Sequence, residues 1–154
     1  MKLYLMRHGT SPSTHEAGVK TDFDRPLAEE GRVNARRGAD FLSRSGAKPS
    51  KLLASPLVRA QQTARIVAAA LKLEPFTYEP LSNQIDGMSL YRKICDDFSE
   101  EPELLLVGHQ PQFGETANYL TGQYFDLKSA GQIALEIDAR GKGAVLWAAN
   151  PGDF

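Results

Sequence analysis

Two histidines and two arginines stand just beyond apolar stretches of the chain, where strands of a sheet are expected to end. Arg7 and His8 follow the first such stretch. Arg59 lies shortly after a second stretch, and His109 ends a later one. Guanidinium groups bind phosphate oxygens through paired hydrogen bonds, and a neutral imidazole is a nucleophile or a base. The combination predicts an anion site, suited to phosphate, with a nucleophile built into it.

The chemistry that fits these side chains is phosphoryl transfer through a histidine. A phosphomonoester carries roughly −1.5 to −2 charges near neutral pH, which a few arginines and a histidine would match. A neutral imidazole would attack phosphorus in line and form a phosphohistidine, and nearby arginines would lower its pKa and keep it neutral. The same cations would stabilise the oxygens of the transferring group. Because no cluster of Asp and Glu lies beside these residues, we expect neither a metal nor a cofactor.

Alternating strand and helix patterns supply the elements that must position these side chains. The patterns predict strands over residues 2–6, 51–54, 75–78 and 103–107, helices over 28–45, 56–71, 89–98 and 112–120, and a hairpin of 132–137 with 144–148. This order predicts an α/β fold, a three-layer α/β/α arrangement with a mostly parallel central sheet, in one domain over residues 1–154. Ligands bind such sheets at the carboxyl ends of the strands, so the two histidines and two arginines are expected to converge there.

Two local patterns bear on the site. Residues 11–26 are polar and broken by prolines, so we expect a loop that lies over the site and carries Arg25, with His15 solvated. Ser55 and Pro56 precede the strongest helical periodicity in the chain. Since Ser is a frequent N-cap and Pro a frequent first helical residue, we predict that Ser55 caps this helix.

Composition excludes several classes of function. The chain has 154 residues and a formal net charge of −1, so no global positive field exists to hold nucleic acid or an anionic membrane. No apolar run approaches membrane-spanning length, and the first residues are too soon charged for a secretory signal. Cys95 is the single cysteine, which excludes an internal disulfide. We therefore expect a cytoplasmic protein that binds neither nucleic acid nor membrane.

Three motifs carry a family resemblance. Arg7-His8-Gly9, the segment 55–64 (SPLVRAQQTA) and Gly108-His109 together resemble the histidine phosphatase superfamily, which has the phosphoglycerate mutase-like fold. Their order and spacing, with the short chain, resemble the SixA-type phosphohistidine phosphatase branch. The Arg25-Pro26-Leu27 segment is similar to the helix entry of that branch, so the resemblance covers nearly the whole chain.

The resemblance implies a metal-independent phosphatase that works through a phosphohistidine enzyme intermediate. It implies that His8 accepts the phosphoryl group and that a pocket of neighbouring residues holds it. Gly9 would allow close backbone approach and orient the His8 ring. The pocket residues implied by the resemblance are Arg7, Arg59 and His109, with Arg25 as a further phosphate or substrate contact.

The chain also departs from the family pattern. Thr10 stands where the SixA-like branch frequently has an acidic residue, and larger members carry a carboxylate general acid after the third strand. Here Glu79 and Asp86 are the only candidates, and both are expected to be ordinary exposed carboxylates. An alkoxide leaving group needs a proton donor, whereas imidazole, with a pKa of about 6.5, leaves more easily. A poor acid therefore favours cleavage of P–N over P–O bonds.

These observations leave three functions open. The first is a phosphatase acting on phosphohistidine in a protein, such as a histidine-containing phosphotransfer domain. Little chain is available between residues 73 and 103 to build a cap, so an open pocket that admits a protein side chain is expected. The second is a phosphomonoesterase acting on a small phosphorylated metabolite. The third is a non-catalytic phosphate-binding module, which the full set of core residues disfavours.

Overall fold

The computed structural model describes residues 1–154, which form a single six-stranded sheet flanked by helices. The strands are β1 (Lys2–Arg7), β2 (Lys51–Ala54), β3 (Pro75–Thr77), β4 (Glu103–Gly108), β5 (Gln132–Ile137) and β6 (Gly143–Ala149). The α-helices are α1 (Thr14–Ala17), α2 (Glu29–Arg44), α3 (Val58–Leu71), α4 (Gly87–Phe98) and α5 (Gln112–Thr121). Single 3-10 turns form at Asp22–Asp24, Glu79–Ser82 and Pro151–Asp153. None of the helices is both long and apolar enough to cross a bilayer.

The sheet is mostly parallel, as predicted. Its strand order is β3-β2-β4-β1-β5-β6, and β1, β2, β3 and β4 pair in parallel. Only β5 runs the other way, antiparallel to both β1 and β6. The two kinds of pairing follow from the chain segments that connect the strands. Parallel strands need a helical crossover, whereas antiparallel neighbours such as β5 and β6 can be joined by a tight turn. That turn contains Gly141, whose positive φ of 82° suits glycine.

Central strand β4 shows why helices cover both faces. Leu104 and Leu106 point into one apolar cluster with side chains of α4 and α5, while Leu105 and Val107 point into a second cluster with α2 and α3. All four side chains are fully buried, as a continuous apolar strand requires. The predicted three-layer α/β/α arrangement is confirmed.

Strand register brings the ends of β2, β4 and β1 together. Arg7 pairs with Gly108, and the amide of His8 then donates to the Gly108 carbonyl over 3.0 Å. On the other side of β4, the amide of Ser55 donates to the Val107 carbonyl over 3.0 Å. The residues that directly follow these three adjacent strands are therefore neighbours at one rim of the sheet.

Two local predictions were wrong. Ser55 does not cap α3, because α3 begins only at Val58 and its N-cap is Leu57, which is in extended conformation. The predicted loop of residues 11–26 also contains the one-turn helix α1. That turn forms because Ser13 and Glu16 make a capping box, in which each side chain bonds the other residue's amide.

Candidate active site

The imidazole of His8 is fixed by the backbone beside it. Its Nδ1 lies 2.7 Å from the carbonyl oxygen of Gly9, and a carbonyl can only accept a hydrogen bond. In the neutral ring Nδ1 therefore carries the proton, which leaves the lone pair on Nε2. Arg59 Nε donates to that Nε2 over 3.3 Å. His8 is 8% exposed, so Nε2 lies in a nearly enclosed place.

The Gly9 turn is itself held from two sides. The Gly9 amide donates to Thr63 Oγ1 over 3.1 Å, and the Thr63 hydroxyl donates to the Arg59 carbonyl over 2.8 Å. Gly9 also packs on Gly31 of α2, where a Cβ on Gly9 would lie 2.6 Å from the Gly31 carbonyl oxygen. The close approach that glycine permits here is between this turn and α2. As a result, the acceptor of the His8 Nδ1 proton has a defined place.

His109 faces His8 across the rim. The two ring centroids are 5.1 Å apart with an angle of 59° between the rings. His109 Nε2 lies 2.7 Å from the hydroxyl oxygen of Ser55. His109 is 3% exposed and Ser55 is fully buried, so neither side chain relies on bulk water for this contact.

Both imidazoles are neutral at pH 7. Burial, reinforced by the positive charges of Arg59, Arg7 and Arg25, lowers the pKa of His8 to about 4, although the bond to the Gly9 carbonyl opposes the shift. Burial also lowers the pKa of His109 to about 3, with His8 and Arg59 as further causes. The arginine effect predicted from the sequence is present. Burial is the larger cause because a charged imidazolium would lose its hydration in this enclosed place.

The two arginines predicted for the site differ in the hydrogen-bond partners of their guanidinium groups. Arg59 is buried, and beyond its bond to His8 its fork holds Asp22, through the Asp22 carbonyl at 2.7 Å and Oδ2 at 3.0 Å. Arg7 donates one bond, from Nη1 to the Leu127 carbonyl over 2.8 Å. Its Nε is buried and has no partner in the protein. A buried cationic donor without a partner is costly, and a bound anion would satisfy it.

Arg25 reaches the site only through Asp22. Its guanidinium donates to the Pro12 carbonyl at 2.7 Å, to Asp22 Oδ1 at 2.9 Å and to the Ser11 carbonyl at 3.2 Å. The Asp22 carboxylate thus bridges Arg25 and Arg59, and its bonds to these two arginines lower its pKa. The segment predicted to lie over the site does so through this residue.

The side chains of the remaining candidates make no hydrogen bond to the paired histidines. Asp86 is exposed and caps α4 by accepting the Ser89 amide over 2.7 Å, a bond that lowers its pKa. Glu79 and His15 are exposed and bond none of the site side chains. The backbone carbonyl of Thr10 accepts the Ala28 amide over 2.8 Å, which ties the Gly9 turn to the start of α2.

Sequence reasoning missed three residues that contact the site. Ser55 and Thr63 lie in the quoted motif of residues 55–64, so that motif was a signal for both. Asp22 had a weaker signal as an acid three residues before Arg25 in a polar segment. No group of three or more His, Cys, Asp or Glu side chains is arranged to hold a metal ion.

Comparisons with known proteins agree with this geometry. The profile of the histidine phosphatase superfamily (branch 1) matches residues 3–118. An uncharacterized protein of Picosynechococcus sp. (strain ATCC 27264 / PCC 7002 / PR-6) is 36% identical over 146 residues, covering 90% of this chain and 87% of that protein. Phosphohistidine phosphatase SixA of Escherichia coli (strain K12) is 26% identical over 157 residues, covering 98% and 94%. The structure of the protein histidine phosphatase SixA complexed with tungstate has a TM-score of 0.89 at 23% identity, over 99% of this chain and 98% of that chain.

The matched span includes both histidines and both arginines of the rim. The shared fold extends over almost the full length of the chain and of the SixA structure. Together the profile match and the relatives support phosphatase activity, which is a hydrolase reaction. The chain belongs to the histidine phosphatase superfamily.

Proposed function

We propose that this protein removes the phosphoryl group from phosphohistidine on another protein, through a phosphohistidine intermediate on His8. The observation that carries the proposal is the His8 ring, whose Nδ1 is bonded to the Gly9 carbonyl, so that Nε2 carries the lone pair and accepts one hydrogen bond, from Arg59 Nε. Neutral imidazole is required for attack on phosphorus, and the lowered pKa of His8, about 4, provides it at pH 7.

The first step transfers the phosphoryl group to the enzyme. His8 Nε2 forms a bond to phosphorus while the P–N bond of the substrate breaks, and the bonding electrons go to the leaving imidazole nitrogen, which takes a proton from solvent water. Arg7, with its unpartnered buried Nε, and Arg59 hold the oxygens, and His109 contacts the same group. Arg25 contributes charge from farther out. Substrate oxygens must replace the Asp22 oxygens on the fork of Arg59, and the hydrogen bond from Arg59 Nε to His8 Nε2 must break before Nε2 attacks.

The second step returns the enzyme to its starting state. Water attacks phosphorus, the bond between phosphorus and His8 Nε2 breaks, and the electron pair returns to Nε2. The attacking water gives up a proton to solvent, which balances the proton taken up in the first step, and inorganic phosphate leaves.

The leaving group argues for a P–N substrate. Asp22 is the one carboxylate that touches Arg59, and its bonds to Arg25 and Arg59 keep it ionised, so it is a poor proton donor. Glu79 and Asp86 are exposed and make no hydrogen bond to the paired histidines. A serine or sugar alkoxide would leave without help, whereas imidazole leaves more easily because its pKa is near 6.5. The name of the Escherichia coli relative, phosphohistidine phosphatase SixA, points to the same substrate class.

The test compares substrates with matched concentrations of purified protein. Phosphate release is measured from a histidine-phosphorylated phosphotransfer domain, phosphoserine, phosphotyrosine and sugar phosphates, with and without EDTA. We expect kcat/KM on the phosphohistidine protein to exceed the others by at least about tenfold, or about 1.4 kcal/mol of transition-state stabilisation, with no EDTA effect. Higher kcat/KM on phosphoserine or a sugar phosphate would contradict the substrate assignment.

A further inference from the structure

The hydrogen bonds of the Ser55 hydroxyl limit the direction in which it can pair with His109. The Ser55 hydroxyl lies 2.7 Å from His109 Nε2 and accepts the Leu57 amide over 3.2 Å. Ser55 is fully buried. These two contacts are the only ones its hydroxyl makes within the protein.

Counting donors and acceptors fixes the direction of the bond. A hydroxyl has one hydrogen to donate and two lone pairs, and the Leu57 amide already uses one lone pair. If His109 Nε2 donated to Ser55, the hydroxyl hydrogen would be buried with no acceptor, which costs free energy. If Ser55 donates to Nε2 instead, both groups are satisfied.

We infer that Ser55 is a positioning residue that holds His109 as the tautomer protonated on Nδ1, so that Nδ1–H is the donor offered to an oxygen of the transferring phosphoryl group. This inference rests on the proposed function. Nδ1 of His109 has no hydrogen bond to the protein, and its ring lies 5.1 Å from the ring of His8. With the other tautomer, His109 would present a lone pair to a phosphate oxygen and repel it.

The same bond also resists protonation of His109. Nε2 accepts a hydrogen from Ser55 only while its lone pair is free, so charging the ring would require this bond to reverse. The effect acts in the same direction as burial, which already lowers the His109 pKa to about 3. Ser55 therefore supports a donor that stays neutral and does not add a further positive charge beside Arg59.

The direct test is the tautomer itself, read from ¹⁵N chemical shifts of the histidine rings in ¹⁵N-labelled protein at pH 7. His109 is assigned by comparison with His109→Gln. We expect a protonated Nδ1 and an unprotonated Nε2 in the wild type, a mixture of tautomers in Ser55→Ala, and the wild-type pattern in Ser55→Thr, which keeps the hydroxyl. Ser50→Ala, at the opposite end of β2, is the matched serine control.

Kinetics provide the second measurement. Removing an oxyanion donor outright costs about 10²–10³ in kcat, so losing only its orientation in Ser55→Ala should lower kcat by about 10- to 100-fold. KM should change less, and Ser55→Thr should restore most of the loss.

An Nε2-protonated His109 in the wild type would overturn the inference, as would unchanged ring shifts and unchanged kcat in Ser55→Ala. If Ser55→Ala fails to fold by circular dichroism, the wild-type shifts still decide the tautomer. Failure of the proposed function gives a different result, because a protein inactive on every phosphorylated substrate would still report its His109 tautomer by NMR.

Discussion

The two histidines of the rim occupy equivalent places in the fold and present opposite chemistry. His8 follows β1 and His109 follows β4, and these strands are parallel neighbours paired from end to end. His8 binds a backbone carbonyl through Nδ1 and carries its lone pair on Nε2, where it accepts a hydrogen bond from Arg59. His109 binds the Ser55 hydroxyl through Nε2 and, in the tautomer that we infer, exposes a donor on Nδ1. The bond on the far nitrogen of each ring decides whether the near nitrogen attacks or donates.

The hydrogen bonds that hold the two histidine rings differ in their partners. The acceptor for His8 is the carbonyl of the next residue, which no side-chain substitution removes, and it is held in place by Thr63 and by packing on Gly31. The partner of His109 is the side chain of Ser55, which directly follows strand β2, and one substitution can delete it. The proposed nucleophile, His8, is therefore fixed by the backbone, whereas the donor inferred at His109 depends on a replaceable serine.

The largest effect is expected when the nucleophile is removed. In His8→Ala no lone pair stands beside Arg59, so kcat should fall by at least about 10⁴-fold. Incubation with ³²P-labelled histidine-phosphorylated protein should leave no label on this variant, whereas the wild type carries transient, acid-labile label. Label that persists at wild-type level in His8→Ala would show that another residue is the acceptor.

Replacing the opposite histidine should have a smaller effect. His109→Gln keeps a donor of lower precision beside a complete nucleophile, so kcat should fall by about 10²–10³-fold. Label should still appear on His8, more slowly, in a rapid-quench experiment. If His109→Gln loses all label while His8→Ala keeps it, the two roles are reversed.

Acid should destabilise the protein through both rings. Their folded pKa values, about 4 for His8 and about 3 for His109, lie below the value of 6.5 for free histidine. The unfolded chain therefore binds more protons, and the free energy of unfolding falls as pH drops below 6.5, by up to about 1.4 kcal/mol per pH unit for each ring.

Urea unfolding between pH 7 and 5 measures this slope, in a range where few carboxylates titrate. His8→Asn and His109→Gln should each remove about half of it. A wild-type slope that is unchanged in both variants would mean that neither ring is held neutral by its surroundings.

A smaller effect, on phosphate binding, is expected from a substitution in the segment of residues 11–26 that lies over the site. Asp22 occupies the fork of Arg59 that a phosphate needs, so Asp22→Asn should tighten phosphate binding. The change should be about three- to fivefold, because partly exposed ion pairs contribute less than about 1 kcal/mol. The inhibition constant of inorganic phosphate, which competes with the substrate for the site, measures this change in binding.

The matched control is Asp24→Asn, whose carboxylate accepts the Thr21 hydroxyl and touches neither arginine. It should bind phosphate like the wild type. Weaker phosphate binding in Asp22→Asn would instead mean that Asp22 orients Arg59.

Much of the fold was predictable because the sequence patterns that specify its strands are local. The continuous apolar run of β4 marked a strand buried on both faces, and the β5–β6 hairpin had clear alternation. Placing His8 and His109 at one rim needed only the rule that parallel strands end together. The capping-box pattern of Ser13 and Glu16 is also a local signal, and it could have predicted the start of α1.

The rest depends on contacts between distant parts of the chain. The bond from Ser55 to His109 follows from the register of β2 against β4, which no sequence pattern specifies. The contact of Asp22 with Arg59 depends on the path of an irregular segment. Burial, the main cause of both lowered histidine pKa values, is a property of the folded molecule.

The most direct test of this account is to locate the phosphoryl group on the trapped enzyme. ³¹P–¹⁵N correlation NMR of the ¹⁵N-labelled protein, phosphorylated by a histidine-phosphorylated donor and held at low temperature, identifies the nitrogen bonded to phosphorus. We predict a single bond to Nε2 of His8, with Nδ1 still protonated toward the Gly9 carbonyl. Phosphorus bonded to His109, or to Nδ1 of His8, would contradict the division of roles between the two histidines.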